Sequence, residues 1–256
     1  MSNSSNIFLD LDGTVYVDNI VINNADEQIR RLKNNGFQIY YLTNNTSQNT
    51  EYYKSKLKKM NLPISNDSII SPINVIIEWI KKKNYKTIYV LGVEDLKKEI
   101  IEKTQVKINS KNAECVIIAF DKELTYKKLE ETCKLINNGV PYYLSHIDNY
   151  CPTLNGNMPD CGSIGLMIEK TTGKISNGHF GKPSELMTSY IRKIIGDNNK
   201  NILVGDRIQT DIAIGKKIGA ETVIVCSGEF KKDTEINYNL ENTQIHNTLT
   251  DFLLTI

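Results

Sequence analysis

Short apolar runs alternate with amphipathic segments along the whole chain, and several runs stop on glycine or a small polar residue. The runs fall at 7–9, 37–42, 87–91, 114–120, 140–144, 201–204 and 222–226. Between them the spacing predicts helices near 24–35, 47–60, 73–83, 94–103, 125–139, 163–169, 184–195, 212–218 and 248–254. Strands joined through helices pair in parallel, and the helices then cover both faces of the sheet. This alternation predicts an α/β fold on a mostly parallel sheet. In such sheets ligands bind outside the C-terminal strand ends, so the residues just after each run matter most.

The first run opens Ile7 to Tyr16, reading IFLDLDGTVY. Period-2 alternation puts Asp10 and Asp12 on one side of the extended chain, and Gly13 frees the backbone to turn. Carboxylates so close repel unless a cation or a proton sits between them. The same letters also fit an Asp-Gly turn closing a hairpin. Downstream, the run at 37–42 ends in Thr43-Asn44-Asn45, and the run at 201–204 ends in Gly205-Asp206, with Asp211 five residues on. Asp10, Asp12, Thr43 and Asp206 therefore share the C-terminal edge of the expected sheet. A short hairpin is expected around Asp18-Asn19, where Val15-Tyr16-Val17 and Ile20-Val21-Ile22 flank a two-residue turn. A stretch from 145 to 162 carrying Pro152, Gly156 and Pro159 is expected to be irregular. A loop that long suggests function.

Charge and cysteine usage remove several classes. The net charge of +1 gives no electrostatic footprint for nucleic acid or an anionic membrane. Five cysteines without a C-x-x-C pair, beside three scattered histidines, form no zinc framework and fit a reducing cytosol. His146 and His179 read as polar loop residues. The opening MSNSSN has no signal-peptide apolar region, and no run approaches the roughly 20 residues that span a bilayer. A cytoplasmic protein with no nucleic-acid or membrane partner is the expectation.

Asp10-x-Asp12-Gly13-Thr14, Thr43-Asn44-Asn45, Gly181-Lys182-Pro183 and Gly205-Asp206-Arg207 with Thr210-Asp211 occur in that order. Over nearly its whole length the chain resembles the haloacid dehalogenase superfamily. It is most similar to the p-nitrophenyl phosphatase-like subfamily, which includes the N-acetylglucosamine-operon phosphatase. The resemblance implies a Rossmann-like, doubly wound parallel core over 1–77 and 181–256, with a smaller α/β cap domain inserted over 78–180. It implies a magnesium-dependent phosphatase of small phosphorylated metabolites, and it allows a homodimer.

Asp10 would be the nucleophile and Asp12 the acid and base. Thr43, Asn44 and Asn45 would hold phosphoryl oxygens, and Lys182 would neutralise charge. Asp10, Asp12, Asp206 and Asp211 would be the metal group. Asp148 and the 155–162 loop are expected to touch substrate. Two departures bear on that loop: Ser145-His146-Ile147-Asp148 replaces a more usual Thr-Asn-x-Asp, and Cys161 stands where glycine is common. A phosphotransferase or mutase would share the same aspartyl phosphate. A phospho-accepting switch would need neither Asp12 nor a cap.

Overall fold

The computed structural model describes residues 5–65, 67–153, 155–195, 200–232 and 240–256. The chain forms two compact units. One comprises Met1–Thr43, Tyr53–Ile70 and Thr188–Ile256, and the other Asn44–Tyr52 and Ser71–Met187.

The first unit is built on six parallel strands, ordered Thr243–His246, Glu221–Val225, Asn201–Gly205, Asn6–Leu9, Gln38–Leu42 and Ile69–Ile70. The chain starts at a central strand and winds outward to one edge, and later fills the other side. The direction of winding therefore reverses between Asn6–Leu9 and Asn201–Gly205. Leu9 is in register with both Val204 and Tyr41, so the residues following these strands emerge at one edge. Ile7, Phe8 and Leu9 are all fully buried, as a strand covered on both faces requires. Ile7 and Leu9 pack with Ile29, Leu32, Val223, Val225 and Phe252. Ile224, one residue out of phase, packs on Ile212 and Phe230 instead. Each such side chain contributes about 1.5–3 kcal/mol of burial.

The helix Ala25–Asn34 shows why the local sequence complies. Ala25, Ile29 and Leu32 recur at helical spacing on the buried face. Asp26 and Glu27 sit in its first turn and Arg31 and Lys33 in its last, matching the helix dipole.

The second unit holds four parallel strands, ordered Lys107–Ile108, Thr87–Leu91, Val116–Ile118 and Tyr142–Leu144. Leu91, Val116, Ile118, Ile136, Ile164 and Ile168 share its core. Trp79 lies 4.8–5.1 Å, ring centre to ring centre, from Tyr85, Tyr143 and Phe180.

The structure differs from the expected elements in three places. The stretch read as irregular contains an antiparallel hairpin, Tyr150–Thr153 with Gly156–Pro159. Its residues are mostly exposed and it carries two prolines, so no apolar alternation announced it. The helix expected at 163–169 runs Cys161–Thr172, started by an Asp160 cap and stopped by Gly173 in a left-handed conformation. A wide π turn, Ile208–Ile212, precedes the helix Ala213–Lys217. The fold class is α/β with parallel sheets, as the alternation predicts.

Candidate active site

In the first unit, Asp10 leaves the central strand with its N–H donating to the Val204 carbonyl at 2.9 Å. That bond fixes it beside the strand that ends in Gly205. Leu11 then accepts from Val15 at 2.9 Å, and Gly13 donates to Tyr16 at 2.8 Å, closing a tight turn in which Gly13 has φ +91°. A Cβ on Gly13 would lie 2.6 Å from Asp206 Oδ2, and one on Gly228 would overlap the same carboxylate. Glycine at both positions lets two backbone segments close on Asp206. Its Oδ2 accepts from the Glu229 N–H at 2.6 Å, and its Oδ1 accepts from Thr14 Oγ1 at 3.4 Å.

Asp211 accepts from the Arg207 N–H at 3.0 Å, and its carboxyl fills the space a Cβ on Gly205 would need. Arg207 Nε meets Glu229 at 3.0 Å, tying the loop that carries Asp206 to the loop after Glu221–Val225. Asp206 and Asp211 are both buried. Carboxylate oxygens of Asp10, Asp206 and Asp211 all lie within 4.8 Å of one another. Burial, and then the charges of Asp10 and Asp211, push the Asp206 carboxyl well above the usual carboxylate range. An all-oxygen group of this kind suits a hard divalent cation. Asp12 is partly buried, and Thr43, buried at the end of its strand, donates its N–H to Ile70 at 3.0 Å.

The remaining expected residues belong to the second unit, where Asn44 is the hub. Its Oδ1 accepts from the Lys182 N–H at 2.7 Å, and its Nδ2 donates to the Lys182 carbonyl at 3.3 Å. The same Nδ2 donates to Asp148 Oδ2 at 3.2 Å. Gly181 makes room for this clasp, since a Cβ there would sit 2.6 Å from Asn44 Oδ1 and 2.7 Å from His146 Cβ. Lys182 is 2% exposed. Asn45 accepts from the Ser47 N–H at 3.0 Å, a local turn that begins the next segment.

His146 lies in a loop, as expected, and is fully buried there. Its Nδ1 lies 3.4 Å from Asp148 Oδ2 and its Nε2 lies 3.3 Å from Asp160 Oδ1. Asp160 lies in the 155–162 stretch expected to touch substrate, where an aspartate just before a helical run is a cap signal. Cys161 is also buried, its thiol donating to the Ile118 carbonyl at 3.2 Å, and burial pushes that thiol up to about 12.

Comparison with known proteins places the chain. Residues 7–104 match the family described as haloacid dehalogenase-like hydrolase, and residues 179–252 match a second description of the same hydrolases. The fold superposes on the 4-nitrophenylphosphatase of Thermotoga maritima with a TM-score of 0.90 and 30% identity, covering 98% of this chain and 97% of that one. The 5'-nucleotidase YutF of Bacillus subtilis is 28% identical over 247 residues, 96% of each chain. An acid sugar phosphatase of Staphylococcus aureus is 27% identical over 237 residues, covering 92% of this chain and 91% of its own. The chain belongs to the haloacid dehalogenase-like hydrolases. Within them it is an enzyme of the phosphatase branch that acts on phosphate esters. Among the described residues no helix is long and apolar enough to cross a membrane.

Proposed function

We propose that the chain is a magnesium-dependent phosphomonoesterase that works through an aspartyl phosphate on Asp10. The observation that carries this reading is the convergence of Asp10, Asp206 and Asp211 within 4.8 Å, at the strand edge where the winding of the sheet reverses. A metal fits there because buried carboxylates this close need a counter-charge, and backbone packing on Asp206 leaves its carboxyl little freedom to turn away. Asp10, Asp206 and Asp211, with the Asp12 main chain, would hold magnesium, whose charge lets a carboxylate approach a phosphate dianion.

An Asp10 oxygen attacks phosphorus, and the bond from phosphorus to the ester oxygen breaks. Asp12 gives the departing oxygen its proton. Asp12, now a carboxylate, then takes a proton from water as that water attacks the acyl phosphate. The bond from phosphorus to Asp10 breaks, inorganic phosphate leaves, and Asp10 is restored. Thr43, Asn44 and Asn45 are assigned to the phosphoryl oxygens, and Lys182 to the compensating charge.

We assign residues 1–77 and 181–256 to a catalytic core and 78–180 to an inserted cap, with Asp148 reading the leaving group. Small esters are the substrate class, since the similar proteins are named for nucleotide, sugar and nitrophenyl phosphates. The test is phosphate release from a panel of such esters, with magnesium and with chelator. Release that persists in chelator removes the metal from the reading. Transfer to a sugar hydroxyl without free phosphate would make the chain a phosphotransferase.

A further inference from the structure

We propose that His146 is a positioning residue, held as an imidazolium between Asp148 and Asp160. Its charge keeps Asp148 where it orients Asn44 and, through Asn44, the main chain of Lys182. The electrostatic half of this proposal stands on the geometry alone. Its catalytic consequence rests on the roles proposed above for Asn44 and Lys182.

The two ring nitrogens of His146 lie near different carboxylates, at 3.4 Å and 3.3 Å, within ion-pair range though out of hydrogen-bond alignment. A neutral imidazole carries one N–H and one lone pair. One of the two carboxylates would then meet a lone pair with its own lone pairs, in a site the ring shares with no solvent. An imidazolium presents an N–H on both sides. Two buried carboxylates without a cation between them are strongly unfavourable. A metal ion on one ring nitrogen would leave the other as an N–H donor to the second carboxylate, and the nitrogen spectrum separates the two arrangements because a metal-bound nitrogen carries no proton.

The acidic groups beside the ring come from separate elements. Asp148 follows the strand Tyr142–Leu144, and Asp160 caps the helix Cys161–Thr172. The Cys161 thiol, raised by burial, stays neutral. Lys182 joins the cluster through Asn44, whose Nδ2 donates to the Lys182 carbonyl as well as to Asp148.

Both ends of the bridge are anchored to backbone. Asp160 Oδ1 accepts from the Cys161 N–H at 2.6 Å, and the Asp160 N–H donates to Asn149 at 3.0 Å. The Gly162 N–H donates to the Asp148 carbonyl at 2.8 Å, and a Cβ on Gly162 would lie 2.8 Å from that same oxygen. The main chain of Asp148 is thus seated on a helix start. His146 and Asn44 hold its side chain. Removing the imidazolium leaves two negative charges facing each other, and Asp148 is the one whose displacement releases Asn44.

Two measurements test this on the full-length protein. The first is the nitrogen spectrum of the histidine side chains in uniformly labelled wild-type protein. The chain has three histidines, so substitutions at His179 and His246 assign His146 by elimination. At about pH 7.5, well above the ordinary histidine value of about 6.5, both His146 nitrogens should carry protons. A lone-pair nitrogen on His146 at that pH would overturn the proposal.

The second measurement is kcat/KM for phosphate release with magnesium. His146→Gln should lower it about 10²-fold, the size of effect expected when a positioned group is displaced. Adding Asp160→Asn restores the net charge of the cluster, and should recover most of the loss because asparagine still caps the helix. A double variant as impaired as His146→Gln, or a His146→Gln enzyme with full activity, would overturn the positioning role. If wild type releases phosphate from no ester at all, the phosphatase reading fails, while the nitrogen spectrum still decides the charge on His146.

Discussion

Each unit of the molecule contains a buried carboxylate cluster, and the two meet the same electrostatic problem differently. Asp10, Asp206 and Asp211 form a group of acids whose mutual repulsion helps push Asp206 above its normal range. Asp148 and Asp160 instead flank a ring that the chain itself supplies. A cluster that takes its counter-charge from a side chain between its acids is a fixed part of the framework. A cluster of three converging carboxylates suits a divalent cation, and that is what makes it a candidate binding site. Buried charge by itself therefore does not mark function. The donor set does.

The largest expected effect is at the three-carboxylate cluster. Asp10→Asn should abolish turnover with the fold intact, because an amide cannot form the acyl phosphate. Phosphate release at even a tenth of the wild-type rate would break the assignment.

Asp12→Asn should be next. It should cost about 10² to 10⁴ in first-turnover rate for a sugar phosphate and far less for p-nitrophenyl phosphate, whose leaving group needs no proton. The variant should also release about one nitrophenolate per enzyme and then stall with phosphate on Asp10. Rapid-mix absorbance and intact mass check both, and equal losses with no adduct would leave Asp12 without its acid role.

At Asp206, replacement by Asn should raise the magnesium concentration for half-maximal activity by about 10-fold or more, by analogy with losses at metal-supporting groups. An unchanged requirement would move the metal elsewhere.

The smallest effect sharpens the comparison most. Asp206 is raised in the folded protein, so without a cation the folded state binds its proton more tightly than the unfolded chain does. Stability should then fall as pH climbs from the unfolded carboxylate value of about 3.9 through the raised folded value. In chelator near neutral pH, Asp206→Asn should raise Tm by about 2–4 °C and flatten that slope. Asp160→Asn, at the histidine-bridged cluster, should give no such gain. Calorimetry showing equal Tm values for wild type and Asp206→Asn would erase the distinction between the clusters.

Much of the first unit was legible because its central strands are covered on both faces. Ile7–Leu9 and the run at 202–204 are apolar without a break, so the polar residues that follow them, Asp10 and Asp206, stand out. The edge strands Ile69–Ile70, Lys107–Ile108 and Thr243–His246 are too short or too exposed for any periodicity to show. The burial of His146 was not legible for a related reason. A histidine two residues after a strand looks solvated until a distant helix start is known to close over it.

The sequence by itself determined the α/β alternation, the strand ends that carry polar chemistry and the family to which they belong. All of these rest on neighbours in the chain, where turn chemistry and side-chain period act directly. The resemblance already implied that Asp10, Asp206 and Asp211 form one group, and tertiary structure alone decided that Asn44 clasps Lys182 138 residues away and that His146 lies between two acids. Such pairings depend on strand order and on close packing at Gly13, Gly181 and Gly162, which bring distant backbone segments within a few ångströms. Electrostatic energy falls with distance in space, and distance along the chain does not report it.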